Sequence, residues 1–248
     1  MNTQSVLSFA PSDGLARWTK GLLVATLMLS AVGIISGLLE VELLSRAASG
    51  DISDSEVAAN DARQGLIGVL QVLVFLGTAV AFLAWFHRVH KNLLALRGRE
   101  LKYTPGWAVG GFFLPFLNLV RPLQVMREVW HGSDPSGLER DTESAGPSIR
   151  NELGTPALVG WWWALFLIST LLGNIIMRAS FSEDLTLADL QALSGALVFA
   201  DILNILGAVV AVRLVGRITG RQAQRAERIR QFGTEAPAGS VSNPGTAS

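Results

Sequence analysis

LIGVLQVLVFLGTAVAFLAW, residues 66–85, is a run of twenty residues without a charge. At about 1.5 Å of rise per residue it makes a helix roughly 30 Å long, which matches the hydrocarbon core of a bilayer. Three further apolar runs of similar length occupy 21–39, 157–177 and 193–212, and Asp201 is the only charge within them. The apolar residues, half of the 248, are gathered into these blocks rather than spread with an amphipathic period, and mean hydropathy is +0.39. The expected architecture is an all-α integral membrane protein with four transmembrane helices at about 21–42, 66–88, 157–178 and 193–215, forming one membrane domain over 21–215. The first run is longer than the apolar stretch of a cleaved leader and is followed directly by Glu40 and Glu42, which favours a retained span. Cysteine is absent, which excludes disulfides, thiolate metal sites and thiol nucleophiles.

Charge sets the expected orientation. Of the 20 lysines and arginines, only Arg46, Arg63 and Arg178 fall in the two segments that an inside N-terminus would place outside. Those segments are acidic instead, with Glu40, Glu42, Asp51, Asp54, Glu56 and Asp61 in the first and Glu183, Asp184 and Asp189 in the second. Basic residues mark cytoplasmic loops. The N-terminal segment 1–20 and the C-terminus are therefore both read as cytoplasmic, in a bacterial inner membrane. All seven tryptophans (Trp18, Trp85, Trp107, Trp130, Trp161, Trp162 and Trp163) fall at the inner ends of spans or in the inner loop. Rings with an apolar body and a polar edge anchor at headgroup depth there.

The stretch WAVGGFFLPFLNLV, residues 107–120, is apolar for only fourteen residues, about 21 Å as helix and too short to cross. Pro115 interrupts its hydrogen-bond ladder. As a fifth span it would also put the six arginines of the tail outside. The segment 105–131 is therefore expected as a re-entrant or interfacial hairpin, with Asn118 available to the backbone groups freed at the bend. Arg121-Pro122 opens a short helix whose Val125, Met126, Val129 and Trp130 share one face, an amphipathic helix along the inner surface. Residues 132–155 read as a flexible cytoplasmic loop, 216–231 as a basic helical extension of the fourth span, and 232–248 as a disordered tail.

Several short motifs accompany this pattern: Phe86-His87-Arg88 with Asn92-Leu93, Pro105-Gly106-Trp107, Pro115-Phe116-Leu117-Asn118-Leu119, Arg121-Pro122 and Trp161-Trp162-Trp163-Ala164. Over about 74–215 the chain resembles a bacterial membrane family catalogued as a domain of unknown function, number 4328. Leu123 departs from it, standing where the family is expected to carry an aromatic residue. The resemblance implies a multi-span membrane domain. That family has no agreed activity, so no catalytic residue carries over.

Asp201 is the sharpest candidate for chemistry, because a carboxylate within a span must face the bundle, meet water or be protonated. Asn204 follows one turn on, and Gln71 and Asn174 fall at comparable depth in spans two and three. A polar cluster of these four would serve either as a proton or cation site in a small transporter or as interhelical hydrogen bonds that fix packing. His87 and His90 stand just inside span two and read as interfacial histidines near anionic headgroups. Gly33-x-x-x-Gly37 and the series Ala196, Ala200, Asn204, Ala208 permit close helix approach, for internal packing or a homodimer. Arg213, Arg217, Arg221 and Arg225 form a stripe at spacing four which, with Arg127, reads as basic and lipid-facing. No phosphate loop, Gly-x-Ser-x-Gly or zinc-binding motif is present, and the chain carries no recognised nucleic-acid module.

The expectation is thus a non-enzymatic interaction or scaffold module. It needs no cofactor or metal, and its aromatic, basic inner face, hairpin residues Pro105, Gly106, Trp107, Pro115, Asn118, Arg121 and Pro122 included, engages anionic lipid headgroups, a second copy or a membrane partner. The alternative is a small proton- or cation-coupled transporter or channel using Asp201. A lipid-acting enzyme with His87 or Glu128 as base is the least supported option, since no nucleophile–base set is visible.

Overall fold

The computed structural model describes residues 9–96, 101–114, 116–137, 156–182 and 184–234. Pro115, residues 138–155 of the expected loop and the tail beyond 234 lie outside the described residues. Among the described residues, four helices are long and apolar enough to cross a membrane: α1 (Asp13–Ala47), α2 (Asp54–Ala95), α5 (Ala157–Ser180) and α6 (Leu187–Thr234). Between α2 and α5 lie α3 (Pro105–Gly110), a 3-10 turn (Leu117–Leu119) and α4 (Arg121–Gly132). No strand occurs among the described residues. This is a multi-pass, all-helical membrane protein.

The helices overshoot the apolar runs. α2 starts twelve residues ahead of Leu66, because Ser53 and Glu56 form a reciprocal capping box, Ser53 Oγ accepting from Glu56 N at 3.3 Å and Glu56 Oε2 from Ser53 N at 2.9 Å. The bonds that its carboxylate accepts from Ser53 N, from Arg46 and from Ser53 Oγ hold the exposed Glu56 carboxyl below the usual glutamate range. The polar stretch expected as a loop between the first two spans thereby shrinks to residues 48–53, turned by Gly50 at φ 76°. At the other end of the sequence α6 runs unbroken past the fourth apolar block, so the basic extension is helical to Thr234.

α6 is the central rod. It packs along α1 on one side and α5 on the other, and α1 packs along α2. α3 lies on α2, while α4 touches α2, α3 and α5. One end of the bundle carries the first and last described residues (the termini end), and the other carries the short 48–53 and 181–186 connections (the loop end). The core is concentrated at the termini end. Trp85, Phe86, Val89 and Leu93 of α2, Val125, Met126 and Val129 of α4, Val159 and Trp162 of α5, and Leu214, Val215 and Ile218 of α6 bury together. Phe82 stacks on Phe86 and on Trp162 at 5.9 and 5.8 Å, and Phe112 meets Phe86 edge-on at 5.8 Å. Such pairs contribute about 0.5–1.5 kcal/mol each beyond area burial.

The tryptophans therefore divide. Trp18, Trp107 and Trp161 are exposed, as interfacial anchors would be, but Trp85, Trp162 and Trp163 are buried. Two of these N–H groups find partners inside: Trp85 Nε1 donates to Thr219 Oγ1 at 3.1 Å, and Trp163 Nε1 to the Leu119 carbonyl at 3.2 Å. The second bond answers the freed carbonyl at the bend, the task expected of Asn118. The chain reverses there through Phe116, a non-glycine residue at φ 65°.

Candidate functional site

The first candidate is the collar where α4 and the turn after it clasp α6. The apolar stripe of α6 (Ala211, Leu214, Val215, Ile218) continues at helical period into Gln222 and Arg225, and both are buried, Arg225 to 2 % exposure. Gln222 Nε2 donates to the Val89 carbonyl at 2.8 Å and to Ser133 Oγ at 3.1 Å, and Gln222 Oε1 accepts from Asn92 Nδ2 at 3.2 Å. Asn92 in turn pairs both ways with the backbone of Ala10, tying the N-terminal segment to the same centre. Arg225 Nε donates to the Leu96 carbonyl at 2.9 Å, capping α2, and its Nη1 donates to the Asp134 carbonyl. Each member of this set has partners, and these bonds offset part of the cost of burying its polar groups and rigidify the collar.

This overturns two expectations. Arg225 is not lipid-facing, and residues 133–136 are not part of a free loop: Ser133 is buried and Pro135 O accepts from Arg228. The stripe of spacing four divides by rotation. Four residues advance a helix by about 400°, so each step drifts about 40° and three steps carry Arg225 roughly 120° around from Arg213. Arg213 and Arg217 point outward, as does Arg127 on α4, while Arg221 is half-buried, its guanidinium 4.4 Å from the centroid of the Trp130 ring. Burial pushes the Arg221 pKa down and Asp134, 3.6 Å from Nη2, pulls it back up. Arg121 is partly buried and lies over Tyr103 at 4.8 Å.

Of the other hairpin residues, Thr104 caps α3 and Pro105 opens it, Gly106 and Trp107 are exposed, Pro122 is buried at the first turn of α4, and Asn118 is partly buried.

The second candidate lies within the spans. Gln71 Nε2 of α2 donates to Asp201 Oδ1 at 3.0 Å, and Ser30 of α1 and Asn204 of α6 add their polar groups to the same carboxylate. Asp201 is 8 % exposed. Gly33 makes the site: a Cβ there would collide with Asp201 Oδ2 and stand 2.8 Å from Gln71 Nε2. Gly37 likewise lets Val198 approach, so both glycines serve the α1–α6 seam. Asn174 is not part of this cluster. It is exposed on α5, its amide donates to the Thr170 carbonyl at 2.8 Å, and it lines a separate groove of about 380 Å³ with Asn118 and Arg178. Its depth matched, but it lies on a different face.

One buried pair escaped the sequence reading. His90 is fully buried, not interfacial, with Nε2 3.7 Å from Glu128 Oε1, and Glu128 also accepts from Lys102 N at 3.1 Å. The signal was available, since His90 shares the α2 face of Phe86 and Leu93, both core residues. His87, three residues earlier, is exposed. No group of three metal-ligating side chains occurs among the described residues.

With this geometry established, comparison with known families gives a match. Residues 48–220 fit the family described as Domain of unknown function (DUF4328). The chain belongs to this family. The DUF4328 range takes in α2 through most of α6, with residues 105–131 inside it, and stops short of the collar's Gln222 and Arg225, while α1 lies outside it. Neither the search of curated proteins nor that of solved structures returns a match.

Proposed function

We propose that this DUF4328 protein is a non-enzymatic module of a bacterial inner membrane. Its termini end, on the cytoplasmic side, engages anionic lipid headgroups. The supporting observation is the coincidence of exposed rings and exposed cations at one end: Trp18, Trp107 (56 % exposed), Trp161 and Phe116 beside Arg127, Arg213 and Arg217. Aromatic rings hold the headgroup level, and each nearby cation adds about 1 kcal/mol of attraction to an anionic leaflet. The buried collar beneath presents these groups on a rigid base.

The test is native mass spectrometry of the detergent-purified protein with phosphatidylglycerol or phosphatidylcholine added. Wild type retains phosphatidylglycerol preferentially, and the combined Arg127→Gln, Arg213→Gln variant loses that preference. Unchanged retention would refute the proposal. The same spectra report subunit count and any co-purifying partner.

Coupled transport through Asp201 is the second reading. Its support is the buried carboxylate with polar groups from three helices, and against it stands Gly33, packed so closely that the seam closes over the site. Proton flux in proteoliposomes that Asp201→Asn abolishes would favour transport over the scaffold role.

A further inference from the structure

We propose that the groove between α4 and the juxtamembrane turns of α6 is a binding site for the phosphate of an anionic phospholipid. Trp130, Gly216, Arg217, Gly220, Arg221 and Gln224 line a groove of about 440 Å³. This deepens the lipid-binding reading and rests on it, adding one defined site to the basic surface.

Depth selects the ligand. The fourth span is expected to end near Val215, so Gly216–Gly220 lies about 1.5–7.5 Å beyond the hydrocarbon edge. The headgroup layer occupies about 5–7 Å there, half the difference between the full bilayer and its apolar core. A phosphate at that level meets two guanidinium groups one helical turn apart. Arg217 is exposed and has no hydrogen bond or ion pair among the described residues. Arg221 is already oriented by Trp130 beneath it and by Asp134 at one terminal nitrogen. Arginine retains its edge donors when its face is stacked, so a phosphate is accepted in the plane of the fork. Gln224 supplies an amide at the outer end of the groove.

The floor is the more telling feature. Glycine inside a helix costs about 1 kcal/mol relative to alanine. Gly216 and Gly220 sit mid-helix without positive φ, and a Cβ on either would meet nothing within 4 Å. Neither backbone conformation nor internal packing calls for them. Two bare turns side by side open the helix surface where the arginines converge, which a headgroup requires for close approach.

The experiment fills the groove while keeping every charge. Gly216→Leu with Gly220→Leu has space to fold, and Gly220→Ala adds a single Cβ to the same floor as a graded step between wild type and the leucine pair. Detergent-purified full-length protein is titrated with phosphatidylglycerol, phosphatidylcholine or inorganic phosphate, read by native mass spectrometry and by thermal shift. Wild type binds phosphatidylglycerol over phosphatidylcholine, and Gly220→Ala binds it more weakly than wild type but more tightly than the leucine pair. The double leucine variant, folded by its own melting transition, loses at least about tenfold in phosphatidylglycerol affinity, and Arg217→Gln about fivefold, the equivalent of one surface cation. Undiminished binding by the folded leucine variant overturns the groove. If the Arg127→Gln, Arg213→Gln variant nevertheless loses its preference, the general lipid reading survives that result, and if it does not, both fall. Inorganic phosphate that displaces phosphatidylglycerol at millimolar concentration would assign the groove to a soluble anion and overturn the lipid assignment.

Discussion

The two ends of this bundle are held together by different physics. At the termini end, aromatic rings close over a fully partnered polar centre of Asn92, Gln222 and Arg225. At the loop end, α2 presents Leu66, Val69, Val72, Phe75 and Val80 outward and touches α1 along a narrow seam. Thr26 meets Thr78 at 3.4 Å, Ser36 donates to Gln64 at 3.1 Å, and Gln64 and Asn60 donate to Glu40. The loop half needs no water-excluding core, because its apolar exterior is solvated by lipid chains. At the termini half the helices run on past the apolar blocks, and there the apolar groups are buried against one another. A membrane protein that builds a soluble-style core at one end only has placed its rigid surface there.

The sharpest way to break this contrast is to remove one arginine from each end. Arg225→Ala strands the Leu96 and Asp134 carbonyls in a dry site and should cost about 3 kcal/mol or more, read as lost thermal stability in detergent. Arg63→Ala at the loop end loses bonds to Ser36 and Asn60 that are only partly buried, and should cost under about 1 kcal/mol. Equal losses would erase the distinction.

Within the loop half, the α1–α6 seam should respond to volume more than to charge. Gly33→Val drives a side chain into Asp201 and Gln71 and should cost about 1–3 kcal/mol. Asp201→Asn keeps an acceptor for Gln71 and should cost under about 1 kcal/mol, measured by the same melts. A larger loss for Asp201→Asn than for Gly33→Val would mean that the negative charge itself holds the seam.

The smallest effect concerns acid. His131, beside the collar, has its pKa pushed below 6.5 by burial, with Arg221 and Arg127 adding to the effect and Asp134 opposing it. The unfolded chain then takes up the proton more readily than the folded one. Stability is unaffected well above pH 6.5, falls as pH drops from about 6.5 through the folded value, and levels off below it. His131→Gln should flatten that part of a melting-temperature profile recorded from pH 8 to pH 5, and an unchanged slope would move the acid response to another group.

How much of this the chain revealed beforehand follows from what periodicity can carry. Spans were legible because hydrocarbon thickness sets a length, and Trp107–Val120 was legible as a non-span for the same reason. Depth along a helix was legible too, which is why Gln71 and Asp201 were placed together. Azimuth was not. Asn174 had the right depth and the wrong face, and Arg225 followed Arg213 in sequence while rotating away from it. His90 and His87 differ by about 60° of azimuth, a sixth of a turn, enough to put one in the core and the other at the surface. Helix ends were misjudged where local hydrogen bonds outweigh hydropathy, as Ser53 and Glu56 do ahead of α2.

The unbroken length of α6 has a mechanical corollary. Its 48 residues make a stiff strut of roughly 72 Å, more than twice the hydrocarbon thickness, with Asp201 on its membrane stretch and Arg225 near its far end. Each degree of tilt about one end sweeps the other through roughly 1 Å. Whatever grips this lever at the bilayer surface therefore senses, and can oppose, any slippage of the helices deep inside.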